Sequence, residues 1–345
     1  MKRPLETLLI GLFLVSSVIL LAWFNASRPR ILILHSYDRD YSWVKDVNNG
    51  LKRVLDTHRD YNVEWHYLDT KRHPWPDYKT NAGIAARRKI EARRPDVVIA
   101  IDDDAQNYVM RHYVNDSRIR IVFAGVNNTP QDYGYAGASN VSGILERLPL
   151  DALKESLQTI AARNSLPQPL RIRFIGDRSE TVLGDEKYFR SHDWSPLVVQ
   201  ESRLVDTFDQ WQQAVRDAAT DTDVLVTSNY RKVLRSPGKN TLVPAAEVIS
   251  WTEQNARPLF IGTNAFFAED GGMLAIGTSP FEQGEVAAKL ASTLIAHGPP
   301  TPPATPFHLT QQFVVALRGT ALRQRHLELP RIYEASARAS NKYFE

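Results

Sequence analysis

Six short clusters could do chemistry in this chain: His35-Ser36-Tyr37, Asp102-Asp103-Asp104, Asn127-Asn128, Asp177 to Glu180, Ser228-Asn229-Tyr230 and Thr263-Asn264. Their hydroxyls, amides, carboxylates and rings offer directional hydrogen bonds and stacking faces, which suit the orientation of a small polar molecule. Each cluster also has a plainer reading, because Ser, Asn and Asp favour turns and helix caps for local reasons. Recurrence at successive strand ends favours the collective binding reading. In the Asp triplet, two carboxylates could hold a hard cation. Neighbours on an extended strand end point to opposite sides, however, and no His stands at ligand spacing. Helix N-capping and contact with a ligand ammonium group are the stronger readings, and three carboxylates leave room for both. His35 beside Ser36 invites a base and nucleophile pair, yet adjacent residues seldom reach each other and no G-x-S-x-G elbow occurs. Neither G-x-G-x-x-G nor G-x-x-x-x-G-K-[ST] occurs, so no cofactor is expected. Trp43 follows a strand-end loop closely enough to form a ligand wall, while Trp65, Trp75, Trp211 and Trp251 read as core or lobe surface.

The elements that must position these clusters repeat as short apolar strand, polar turn and amphipathic helix. Arg30 to Leu34 is a continuous apolar run, followed by helical spacing at Val44, Val47, Leu51, Val54 and Leu55. Val63 to Leu68, Asp96 to Ile101 and Ile119 to Ala124 read as further strands, with a helix over Asn81 to Arg93. The second half repeats the pattern: strands at Leu170 to Ile175, Asp223 to Val226, Pro258 to Gly262 and Met273 to Gly277 alternate with helices at Asp209 to Ala219 and Ala245 to Asn255. A late strand is expected at Phe313 to Leu317, and a C-terminal helix from Arg331 to Tyr343. Uninterrupted apolar strands alternating with helices imply parallel sheets covered on both faces. Ligands of such sheets bind beyond the carboxyl ends of the strands, where loops converge. Gly298 to Pro303 reads as a stiff extended connector.

Composition narrows the function classes. At 345 residues, 43% hydrophobic and 23% charged, the chain is globular in character and long enough for one large or two ordinary domains. A net charge of +3, widely dispersed, gives no case for nucleic acid, and the basic stretch at Arg87 to Arg94 fits a solvated helix face. Cysteine is absent, which excludes disulfide scaffolds, thiol catalysis and thiolate metal sites. The uncharged run Leu8 to Phe24, about 17 residues long, sits at the short end of what spans a bilayer. Phe24-Asn25-Ala26 places a bulky ring where a signal peptidase needs a small side chain, so an uncleaved anchor is expected over a cleaved signal. On either reading the body is exported, to a periplasmic or other extracytoplasmic location.

The stretch Ile31 to Tyr37 with Tyr41-Ser42-Trp43, then Val122 to Asn127, Gly271 to Ala275, Phe281 to Gly284 and Leu329-Pro330, resembles the ABC-transporter substrate-binding proteins of the tryptophan/tyrosine type. Similar domains serve as extracytoplasmic sensors of histidine kinases and diguanylate cyclases. The resemblance implies a type I periplasmic-binding-protein fold, two doubly wound parallel α/β lobes joined by a hinge; the apolar run adds an N-terminal membrane helix, with residues 1–29 a signal anchor or signal peptide. The resemblance places residues 30–142 and 279–305 in lobe 1, and 143–278 and 306–345 in lobe 2. It implies that Ser36, Tyr37, Asp102 or Asp103 and Asn127 line the first wall, and Ser179, Tyr230 and Asn264 the second. The implied role is non-enzymatic capture of an amino-acid-like solute for an ABC permease, or alternatively sensing for a membrane signalling partner. An exported hydrolase or metal enzyme using Asp102, Asp103 and His35 is the rival from another class. His35 and the Asp triplet depart from the small-residue loops of a plain amino-acid binder.

Overall fold

The computed structural model describes residues 3–297 and 307–345; the expected connector at Gly298 to Pro303 lies outside them. Helix α1 (Arg3–Ser27) comes first, and its segment Thr7–Ser27 is long and apolar enough to cross a membrane and makes no burial against the body. The chain then builds a first sheet: β1 (Arg30–His35), α2 (Ser42–Leu55), β2 (Asn62–Tyr67), α3 (Pro76–Arg93), β3 (Val97–Ile101), α4 (Asp103–Tyr108), β4 (Arg120–Val126) and β5 (Val141–Leu145). After α5 (Leu150–Arg163) a second sheet follows: β6 (Arg171–Asp177), α6 (Glu180–Ser191), β7 (Val198–Val199), β8 (Arg203–Val205), α7 (Phe208–Asp217), β9 (Val224–Thr227), α8 (Ala245–Asn255), β10 (Leu259–Gly262), α9 (Phe266–Glu269) and β11 (Leu274–Thr278). The chain returns through α10 (Pro280–His297) and β12 (His308–Leu309), then ends with β13 (Phe313–Arg318), α11 (Gly319–Gln324), α12 (Arg331–Ala339) and β14 (Tyr343–Phe344).

The strand orders are β12-β5-β4-β3-β1-β2 in one sheet and β14-β13-β11-β10-β9-β6-β7 in the other, with β8 also paired to β6. Among the described residues, the pairings of these strands are parallel except that of β11 with β13. Helices sandwich both sheets, so central strands such as β3 and β11 are buried on both faces and need no polar alternation. Two α/β lobes result, as expected.

The crossings between lobes fall later than the expected positions 142 and 305. Strand β5 continues to Leu145 inside the first sheet, and β12 pairs with β5 there, so the chain leaves lobe 1 only beyond these strands. The C-terminal helix is also shorter than expected. It ends at Ala339, Asn341 takes a left-handed φ of 54°, and the chain turns so that Tyr343 and Phe344 pair with β13. Pairing with an open sheet edge wins over extending the helix.

Helices α2 and α10 tie the return segment to lobe 1 through backbone contact. A Cβ built at Gly50 would lie 2.0 Å from the Phe281 carbonyl oxygen, and one at Gly284 would lie 2.0 Å from that of Val47. Only glycine at both positions lets the two backbones meet. Substituting Gly284→Ala must push them apart, and overpacking of this kind costs about 1–3 kcal/mol. Denaturant unfolding should report that loss; an unchanged midpoint would show that the helices can separate without cost.

Candidate functional site

The carboxyl ends of the strands in both sheets face one seam, and the triplet after β3 lies at its centre. Asp102 turns the chain with φ 72°, and its Oδ1 accepts from the Asp103 backbone N–H at 2.8 Å and from the Tyr37 hydroxyl at 2.5 Å. Asp103 accepts from the backbone N–H groups of Asn127 and Asn128, both at 3.2 Å, and from the Tyr133 hydroxyl at 2.6 Å. Asp104 takes the Lys79 ammonium at 2.7 Å, with that of Lys232 at 4.0 Å. The three carboxylates therefore diverge into a helix cap, a brace on the β4 loop and an interlobe ion pair. Among the described residues no group of three or more His, Asp or Glu is arranged to hold a metal ion.

His35 is placed away from the seam. It stacks with Trp65 and Tyr67, bonds Asn48 Oδ1 through Nε2 at 2.8 Å, and is lowered to a pKa of about 3 by burial. Its ring is therefore neutral near pH 7.

Contacts between the lobes close the seam. The Tyr37 and Thr181 hydroxyls lie 3.1 Å apart, the Asn127 amide donates to Asp185 Oδ1 at 2.9 Å, and the Asn107 amide donates to Glu180 Oε1 at 3.1 Å. Tyr41 packs on Phe266 with ring centroids 5.6 Å apart. The Arg231 guanidinium lies 5.0 Å from the Tyr41 ring; within lobe 1 the Lys71 ammonium lies 3.9 Å from the Tyr37 ring. At the far end Lys342 reaches across to Asp46 at 2.5 Å.

The nine residues expected to bind ligand divide into three groups. Tyr37, Asp102, Asp103 and Asn127 are buried in or beside the seam and bonded to one another or across it. Ser36, Trp43, Tyr230 and Asn264 are committed inside their own lobes. Ser36 Oγ donates to the Ile101 carbonyl and accepts from the Ala105 N–H, Trp43 packs its ring tip against Gly125, Tyr230 donates to Asp270 at 2.6 Å, and Asn264 donates to the Ser228 carbonyl. Ser179 alone of the nine lines the open cavity of about 240 Å³ at the mouth of the seam, with Trp75, Lys79, Glu180 and Lys232. Lys71, Lys79, Glu146, Asp185 and Arg231 carry no sequence signal. They lie on helices or loops with no motif, and only the packing of the lobes brings them together.

Burial dominates the electrostatics of the seam. It raises Asp102 and Asp185 to about 7 and Glu146 to about 8, with neighbouring carboxylates adding to the shift for all three. Burial followed by Asp104 raises Glu180 to about 7, and burial lowers Lys71 to about 8. Asp104 goes the other way, because Lys232 and Lys79 together outweigh its burial. Opening the lobes would return exposed carboxyls towards their usual values near 4. The closed form therefore binds more protons between about pH 4 and pH 7, and linkage makes closure more favourable as pH falls through that window. Above about pH 8 the lowered Lys71 acts in the opposite sense. Small-angle scattering should show a smaller radius of gyration at pH 5.5 than at pH 8; a pH-independent profile would contradict this coupling.

No protein-family model matches this chain, and no curated protein matches its sequence. Solved structures do share its fold. A conserved domain protein from Vibrio cholerae is 15% identical with a TM-score of 0.66, covering 92% of this chain and 100% of its own. An ABC domain from Streptococcus pneumoniae, in complex with L-Trp, is 13% identical with a TM-score of 0.63, covering 89% and 98%. The ligand-free, open form of a substrate-binding protein with adhesive properties from Clostridium difficile is 15% identical with a TM-score of 0.62, covering 88% and 96%. The fold is that of the type I periplasmic binding proteins. At these identities the likeness speaks for the fold alone.

Proposed function

We propose that this protein is a non-enzymatic, extracytoplasmic binding protein for a small, amino-acid-like solute. The observation that carries the reading is the seam itself: strand ends of two lobes meet there, and buried polar side chains of each lobe bond to the other. A solute contacting both walls would shift the balance between open and closed forms, because only differential affinity can do so. Tyr37, Asp102, Asp103, Asn127 and Ser179 are the residues of the expected set best placed to meet it, with the Tyr41 and Phe266 rings as an apolar wall. The L-Trp complex of the pneumococcal neighbour agrees with a solute of this class.

Delivery to an ABC permease is the role we assign to the closed form. Sensing for a histidine kinase or diguanylate cyclase partner is a second reading, favoured by how the leading helix joins the body. Only Arg28 and Pro29 separate α1 from β1, and the Arg28 guanidinium donates to the carbonyls of Arg59, Asp60 and Tyr61 at 2.8, 2.9 and 2.7 Å. Such a short, pinned connection suits a body held at the inner membrane through Leu8 to Phe24. Affinity capture of the full chain from membranes separates the two roles by whether a permease or a signalling protein is recovered.

Native mass spectrometry of the full-length protein should detect a retained metabolite of low molecular weight. Asp102→Asn changes the acceptor of the Tyr37 hydroxyl in the seam; a net hydrogen bond is worth about 0.5–1.5 kcal/mol, so the retained molecule should bind roughly two- to tenfold more weakly. Equal retention by the variant would remove Asp102 from the site, and absence of any bound or bindable solute would remove the function.

A further inference from the structure

We propose that the cavity at the mouth of the seam is an anion site, gripping a carboxylate or phosphate group of the solute between both lobes. The assignment rests on the solute-binding reading above and names the chemistry of one end of the solute.

The cavity of about 240 Å³ is walled by Trp75 and Lys79 from lobe 1, and by Arg178, Ser179, Glu180 and Lys232 from lobe 2. Helix α6 begins on this wall and is twelve residues long, yet its N-cap Ser179 makes no side-chain capping bond. Backbone bonding of the helix starts with Leu183 N–H to the Ser179 carbonyl, so the N–H groups of Glu180, Thr181 and Val182 have no acceptor among the described residues. An open helix start of this kind presents N–H groups and the positive end of the helix dipole. A second observation points the same way. Ser179 is only 8% exposed, lines the cavity, and its hydroxyl has no hydrogen-bond partner among the described residues.

The charges agree. Lys79 and Lys232 share one carboxylate, Asp104, and the Lys232 side chain is only 10% exposed with its ammonium 4.0 Å from that acid. Asp177 accepts from the backbone N–H groups of Ser179 and Lys232, which fixes the lysine loop beside the start of α6. Arg178 pairs with Asp206 at 3.3 Å. The cations of the lining, Lys79, Arg178 and Lys232, are paired with only two carboxylates, Asp104 and Asp206, leaving one positive charge over. Glu180, the remaining carboxyl of the lining, is raised to about 7 by burial and then by Asp104, and so adds little negative charge below that pH. One anionic group completes the balance.

The test titrates full-length protein, in chloride-free buffer at pH 6.5, with sodium phosphate and separately with 3-phenylpropionate. Intrinsic tryptophan emission and the thermal midpoint are both recorded. A saturable response to at least one anion is expected, and which anion gives it distinguishes a phosphate-bearing from a carboxylate-bearing solute. Ser179→Asp supplies its own carboxylate to cap α6, which preserves the helix, and should weaken the response at least roughly tenfold. Lys232→Met should weaken it by a similar factor. No response to either anion, or equal affinity in Ser179→Asp, overturns the proposal. A retained metabolite without any anionic group would overturn it while leaving solute binding intact; absence of any retained solute would instead remove the function on which it rests.

Discussion

Three consecutive buried carboxylates at one strand end constrain everything packed around them. A carboxylate removed from water must be paired, hydrogen-bonded or protonated. Each member of the triplet meets that demand differently: Asp102 through the Tyr37 hydroxyl and its own helix cap, Asp103 through the β4 loop and Tyr133, Asp104 through two lysines on different lobes. The first two make lobe 1 rigid at the seam. The third reaches across it, so part of the solvation of lobe 1 comes from lobe 2.

That dependence explains why the seam carries so many raised carboxyls. Asp102, Glu146, Asp185 and Glu180 are buried at or beside the seam, and their proton affinities rise with burial. Glu146 follows β5 and bonds Thr278 at the end of β11, so one hydrogen bond links the outgoing and returning crossings. The glycine contact of α2 with α10 fixes the returning segment on lobe 1. Closure then becomes a movement of one lobe against a fixed frame, with protonation, and under the proposed function a solute, acting on the same equilibrium.

Much of this was legible before any coordinates. Runs such as Ile31 to Leu34 and Val97 to Ile101 are apolar on both faces, and they became buried parallel strands for that reason. Strands and helices with weaker periodicity were missed. Strand β5 reads Val-Ser-Gly-Ile-Leu, with a glycine and a serine interrupting the apolar run, and α6 shows few apolar positions beyond Val182 and Phe189. Polar clusters do stand at the strand ends, but which side chains face the shared space depends on packing. Ser36 and Asn264 satisfy local backbone groups, as turn residues often do, whereas Lys79 and Lys232 sit in the cavity wall without any motif.

Sequence alone determined the alternation of apolar strand and amphipathic helix, the polar loops at the strand ends and the apolar leading helix, because these follow from periodicity and turn chemistry within a few residues. Tertiary structure decided which carboxyls lose their water, which lysines share an acid and where a cavity remains, because solvation depends on the lobe that arrives from a distant part of the chain. Ser179 shows the division. Its type and place marked a polar strand end, but only the approach of Lys79 and Trp75 from the other lobe made the start of α6 face a cavity.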